Sequence, residues 1–250
     1  MSGRQRLSRV AMEWTVALAD MNVPTSARTV PVRAAQKPQH ETQVTRDTLL
    51  DLRFRALMSD TEWSSLPPAV RRRFTKRLAG GNTAVYAGEI LETRMNFAGR
   101  CLAQLARIVG APLPTSTDAH LPMIVSVTED MATGGQIWTR LCTRRNGFPQ
   151  IINSSKRFSG PTGIEEYLGR GLSMALTIHA RNGALVFRSD TYFLRMFGLR
   201  FRLPAFLSPG VMTVGHAEMG ENRFLFTLKV EHPWFGTLID QVAAFRESVT

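Results

Sequence analysis

The chain has 250 residues, 44% of them hydrophobic, and carries 31 Lys and Arg against 20 Asp and Glu, a net charge of +11. That length and apolar content exclude wholesale disorder and allow one sizeable core, while the basic balance favours anionic partners. Cys101 and Cys142 lie far apart without a CxxC, and the five histidines form no HxxxH pair, which excludes a disulfide scaffold and a motif-type metal site and reads as buried thiols in a reducing compartment.

Residues 1–46 mix Arg, Gln, Thr, Ser and Pro without sustained period, apart from a short amphipathic stretch around Trp14 and Leu18, and are expected to form a flexible basic arm ahead of a single β-rich domain at 47–250. Arg4, Arg6 and Arg9 precede VAMEWTVALAD in the manner of a signal peptide. Glu13 interrupts the apolar region, however, and no run approaches the roughly 18 apolar residues of a membrane span, so a cytoplasmic location is expected. Asp47 is placed to cap a helix over about 47–58, and Pro67-Pro68 to open a second over 67–79, stopped by Gly80-Gly81; the two are expected to pack as a hairpin. The second carries the basic run Arg71, Arg72, Arg73, Lys76 and Arg77. With no interleaved aromatics to stack bases, this run reads first as a solvated face and second as a polyanion or membrane-surface contact.

Thr83 to Met95 reads as a strand with Gly88 as a bulge, followed by a helix at about 98–109 that ends at Gly110; one longer helix is the alternative. Prolines 112, 114 and 122 then make a non-helical connector. In MIVSVTED, Met123, Val125 and Val127 alternate with polar residues; Gly134-Gly135 turns the chain, and QIWTRLCT puts Trp138, Arg140 and Cys142 on one face. Asn146-Gly147 leads into a third strand, FPQIIN. PTGIEEYLGR reads as a helix over 161–170 that plugs the sheet. Asn182-Gly183 and Gly220-Glu221-Asn222 mark two more hairpins, and between them Phe193, Phe197, Phe201 and Phe206 form either the lid of an apolar cavity, a lipid-facing loop or part of the core. Phe224, Phe226, Leu228 and Val230 give the strand after the last hairpin one apolar side, whose burial is worth ~6–12 kcal/mol.

Four hairpin signals predict an α+β chain built on a predominantly antiparallel β-meander, either a strongly curved sheet or a partly open barrel. The N-terminal helical hairpin precedes it, and one or two helices pack on or plug the sheet.

No Walker loop, GxGxxG, GxSxG, HExxH or kinase signature is present, and no cofactor, metal or catalytic residue is assigned. What remains is a charge inside the predicted sheet. If Trp138 faces inward so does Arg140, and its guanidinium then needs a carboxylate, Glu129 or Glu218, or an anionic ligand. Glu129 or Glu218 as a general acid, and His179 as a proton carrier, are lesser readings.

The segments FRALM, LPPAVRR, the WTR of the second strand, the turn at 204–209 and ENRFLFTLKVEHPWFGTLI resemble a bacterial domain family of unknown function over about Thr48 to Phe245. In some proteins a similar domain follows a saccharopine-dehydrogenase-like, NAD(P)-binding domain, absent here. Trp138, Arg140, Pro204, Glu218, Phe226, Pro233 and Gly236 match its recurring pattern. The resemblance implies a β-rich accessory or ligand-binding domain and supplies no catalytic residues.

The expected function is therefore non-catalytic binding of a small apolar or amphipathic ligand, anionic where Arg140 meets it, in a β-cavity bordered by Trp138, Arg140, Glu129, Glu218, Phe224, Phe226, Phe201 and His179. The alternatives are an accessory or catalytic domain working with a partner oxidoreductase, and binding of nucleic acid or an anionic membrane through the basic run. Oligomeric state is not legible.

Overall fold

Period-two alternation dominates from residue 84 onward, and in the computed structural model, which describes residues 50–110 and 112–247, it forms eleven antiparallel strands. They are β1 (Ala84–Met95), β2 (Leu121–Asp130), β3 (Gly135–Cys142), β4 (Gln150–Arg157), β5 (Glu165–Gly169), β6 (Leu172–Arg181), β7 (Ala184–Met196), β8 (Leu199–Arg202), β9 (Val211–Gly220), β10 (Arg223–His232) and β11 (Gly236–Glu247). The hydrogen-bonded order is β6-β5-β4-β3-β2-β1-β11-β10-β9-β7-β8, and a further β6–β7 ladder joins the ends into a closed ten-stranded barrel with β8 as a flap on β7. Closure removes the free edges that a partly open sheet would expose, so the expectation of a curved sheet or partly open barrel in an α+β chain is corrected to a mostly-β closed barrel with few helices.

Three short helices accompany it: α1 (Asp60–Ser65), α2 (Pro68–Phe74) and α3 (Phe97–Leu105), the last continued by a 3₁₀ turn over Ala106–Val109. The helix expected at 47–58 is not formed over its described part, which runs irregularly into a 3₁₀ turn at Arg55–Leu57. The helical start lies further on, where Ser59 caps α1 by accepting from the Glu62 backbone N–H while its hydroxyl donates to the Glu62 carboxylate. Asp47 and the expected arm lie outside the described residues. Pro68 opens α2 as expected, but the helix ends at Phe74, well before Gly80. The helix expected at 161–170 is the strand β5: Glu166 and Leu168 point into the barrel while Glu165 and Tyr167 meet Arg200 and Arg157 outside, an alternation that only neighbouring strands make favourable.

β1 followed by α3 agrees with the first of the two readings of 83–109. The bulge in β1 lies at Ile90/Glu92, and Gly88 instead permits close approach, since a Cβ there would stand 2.0 Å from the Ala244 carbonyl oxygen. Gly99 serves α3 in the same way against Leu238 of β11. All four hairpins form. Asn182 and Gly183 both take positive φ, as a two-residue turn between right-twisted strands requires.

Because neighbouring strands alternate in direction, the barrel has two distinct ends. One is closed by α1 and α2, where Phe54, Phe74 and Phe187 interlock at ring-centroid distances of 5.4–5.9 Å; this is the plug end. The other, where α3 lies, is the mouth end. Cys101 is exposed on α3, contrary to the expectation that both thiols are buried; Cys142 is buried. Among the described residues no helix is long and apolar enough to cross a membrane.

Candidate functional site

The barrel interior contains a cavity of about 260 Å³. Its walls come from alternate residues of nearly every strand, including Tyr86, Val125, Phe224, Phe226 and Leu228, and its mouth-end boundary from α3 and the 203–209 segment. Leu105 and Leu207 both line it and are 64% and 60% exposed, which places the opening between them.

Toward the middle the lining becomes polar. Trp138 and Arg140 share the inner face of β3 and both line the cavity, with Trp138 8% exposed and Arg140 half-buried. Lys156 on β4 stands directly opposite Glu166 on β5, and their Nζ and Oε2 atoms are 3.2 Å apart with both side chains 5% exposed. Burial pushes the Glu166 carboxyl upward, but the neighbouring Lys156 and Arg140 outweigh it and hold the acid below its ordinary value. Two cations thus share one carboxylate. Arg140 Nη2 donates to Ser154 Oγ at 3.3 Å, and its buried Nε has no hydrogen-bond partner among the described residues. One positive charge at the cavity floor is left without a carboxylate of its own.

Beside it, His216 on β9 is 2% exposed within a cage of Phe74, Trp138, Phe187, Phe224 and Phe226, at centroid distances of 5.1–6.2 Å. Burial first, then the positive charges of Arg73, Lys156 and Arg140, drive its pKa well below 6.5, so the imidazole is neutral near pH 7. It contributes an aromatic wall.

The carboxylates expected near Arg140 have other partners. Glu218 does face inward with His216 and Val214, yet it pairs with Arg73 at 3.2 Å. Glu129 accepts from the Gly80 backbone N–H. His179 is on the outside, 3.4 Å from Glu62, and Phe201, on the flap strand β8, is 49% exposed; neither lines the cavity. Phe224 and Phe226 do. The basic run does not present one face: Arg73 turns into the barrel, its guanidinium 3.7 Å from the Phe224 ring, Lys76 pairs with Glu247, and Arg72 and Arg77 are the exposed members.

Sequence reasoning missed Lys156, Glu166, Ser154 and His216. Assigning 161–170 to a helix hid the Lys156–Glu166 pair, which is legible only once β4 and β5 are in register; the two-residue spacing from Val214 to His216 was the available signal for the histidine. Among the described residues no cluster of three or more His, Cys, Asp or Glu is arranged to hold a metal.

No curated protein and no solved structure matches the chain. The cavity wall and the barrel up to Phe245 fall within a single family match spanning residues 66–245, and on that match the chain belongs to the family described as Domain of unknown function (DUF4166).

Proposed function

We propose that the barrel is a non-catalytic binding module for a small amphipathic anion, with the anionic head on Arg140 and the apolar tail running past Phe224, Phe226 and Leu228 toward the opening at Leu105 and Leu207. The observation that carries this reading is the Arg140 guanidinium, which faces an apolar cavity with the Ser154 hydroxyl as its only acceptor among the described residues, while the neighbouring acid is engaged by Lys156. A half-buried cation without a carboxylate is costly, and a bound anion removes that cost. Scaled against the ~150 Å³ site that holds benzene, the cavity suits roughly ten non-hydrogen atoms. That size matches a medium-chain carboxylate better than a whole phospholipid.

Titration calorimetry of the full chain with decanoate and decanol tests this. Decanoate is expected to bind about ten- to a hundredfold more tightly, the worth of a charge-assisted hydrogen bond at ~1.5–3 kcal/mol. Arg140→Met is expected to erase the difference. Equal affinity for the two compounds, or no binding of either, would overturn the reading.

A further inference from the structure

We infer that the mouth end of the barrel is a membrane-docking surface that seats on an anionic lipid bilayer. The distribution of exposed apolar residues between the two ends is the starting observation. At the mouth end, the β3–β4 connection carries Phe148 at 92% exposure, β7–β8 carries Phe197 at 96%, β8–β9 carries Phe206 at 65%, and β10–β11 carries Trp234 at 72%. On α3 and its 3₁₀ extension, Phe97, Leu105 and Ile108 are exposed as well. At the plug end the turns between strands carry Thr-Gly, Ser-Gly, Asn-Gly and Glu-Asn with Met131 as their one large exposed apolar residue among those described, and Leu50 and Leu52 are exposed on the segment that leads into the plug.

Both ends carry exposed arginines, but at the plug end Arg53, Arg55, Lys76 and Arg223 are paired with acids, leaving Arg72, Arg77 and Arg181 exposed. The connections at the mouth end carry exposed Arg100, Arg107, Arg144, Arg145 and Arg170, with Asp118 as their single acid. Apolar side chains presented singly or in short runs such as Trp234-Phe235 and Phe206-Leu207 on separate connections, with exposed arginines at the same end, suit a fluid surface better than a flat protein partner. A fluid interface accepts them individually, each ring entering the acyl boundary while the guanidinium groups meet lipid phosphates. The exposed edges of Leu105 and Leu207 at the opening lie on this same end, so docking would put the cavity entrance against the bilayer. The surface stands independently of what the cavity holds. It is also the opposite end of the barrel from α2, so the basic run plays no part in it.

The 250-residue chain should co-sediment with vesicles of phosphatidylcholine containing a quarter phosphatidylglycerol and about tenfold less with phosphatidylcholine alone, an electrostatic preference that salt suppresses. In a Trp14→Phe background, which removes the tryptophan outside the described residues, Trp234 reports insertion, because Trp63 and Trp138 are 6% and 8% exposed and already out of water. Its emission should shift to the blue on vesicle addition, and Trp234→Phe should remove the shift while retaining most of the binding. Phe197→Asp combined with Phe148→Asp, both at fully solvated loop tips and checked for an unchanged thermal melt, should weaken vesicle binding at least tenfold. Arg72→Ala with Arg77→Ala should leave it unchanged. Absence of binding to the anionic vesicles, or undiminished binding by the double aspartate variant, would overturn the proposal. So would a wild-type dimer that the aspartate variant converts to monomer without any vesicle binding, since the covering partner would then be a second copy of the chain.

Discussion

The two interior arginines, Arg73 at the plug and Arg140 at the cavity floor, reach the same aromatic interior from opposite surroundings. Arg73 has Glu218 at 3.2 Å and the Phe224 ring beneath it, its side chain is 3% exposed, and its Nε and Nη1 have no hydrogen-bond partner among the described residues, so the carboxylate is what separates it from Arg140. Arg140 has a serine hydroxyl and a neighbouring lysine, with the nearby acid already engaged. A cation that is balanced within the protein holds the fold together. One that is not balanced marks where the molecule can accept something from outside, and here it lies beside the cavity. The ends of the barrel follow suit, the plug end sealed by interlocked rings and the mouth end tipped with exposed ones.

Breaking the shared carboxylate is expected to have the largest effect. Glu166→Gln leaves Lys156 and Arg140 facing each other in an apolar wall, and urea denaturation should show a loss of about 3–5 kcal/mol. Replacing the pair together, Lys156→Met with Glu166→Leu, should recover most of it, because the buried charges then disappear in balance. The contrast between the two arginines sharpens next. Arg73→Met strands Glu218, and because that side chain keeps 17% exposure the expected loss is smaller, about 2–3 kcal/mol. Arg140→Met strands no charge and should change thermal stability by less than about 1 kcal/mol while abolishing anion preference. If both arginine variants were equally destabilised, the distinction between a structural and a receptive cation would fail.

A separate expected effect is a slope with pH. His216 has its folded pKa depressed well below 6.5, so below that value the unfolded chain takes up a proton that the folded chain refuses. This contribution is fully present above pH 6.5 and is lost on acidification, by up to about 1.4 kcal/mol per pH unit. Denaturation midpoints measured between pH 7.5 and 5 should therefore fall less steeply for His216→Phe, whose ring fits the same aromatic cage without a titrating nitrogen. An unchanged slope in that variant would place the acid sensitivity elsewhere.

Much of the barrel was legible before its coordinates. The turns at Gly134, Asn146-Gly147, Asn182-Gly183 and Glu221-Asn222 and the alternation of β2, β3 and β10 depend on residues adjacent in sequence, and so does the common face of Trp138 and Arg140. The choice between strand and helix at 161–170 was not legible, because a short segment with two glutamates satisfies either pattern until Lys156 and Arg200 stand beside it.

The sequence by itself determined an antiparallel hairpin protein with a guanidinium and an indole on one strand face, because two-residue periodicity and turn chemistry are local properties of the backbone. Only the tertiary structure decided that β1 pairs with β11 to complete the ring, that Glu218 serves Arg73, that Glu166 serves Lys156, and that Arg140 is left facing the cavity. The physical reason is distance along the chain. Ring closure and the pairing of buried charges are settled by which residues meet across the folded barrel, and Arg73 and Glu218 are 145 positions apart.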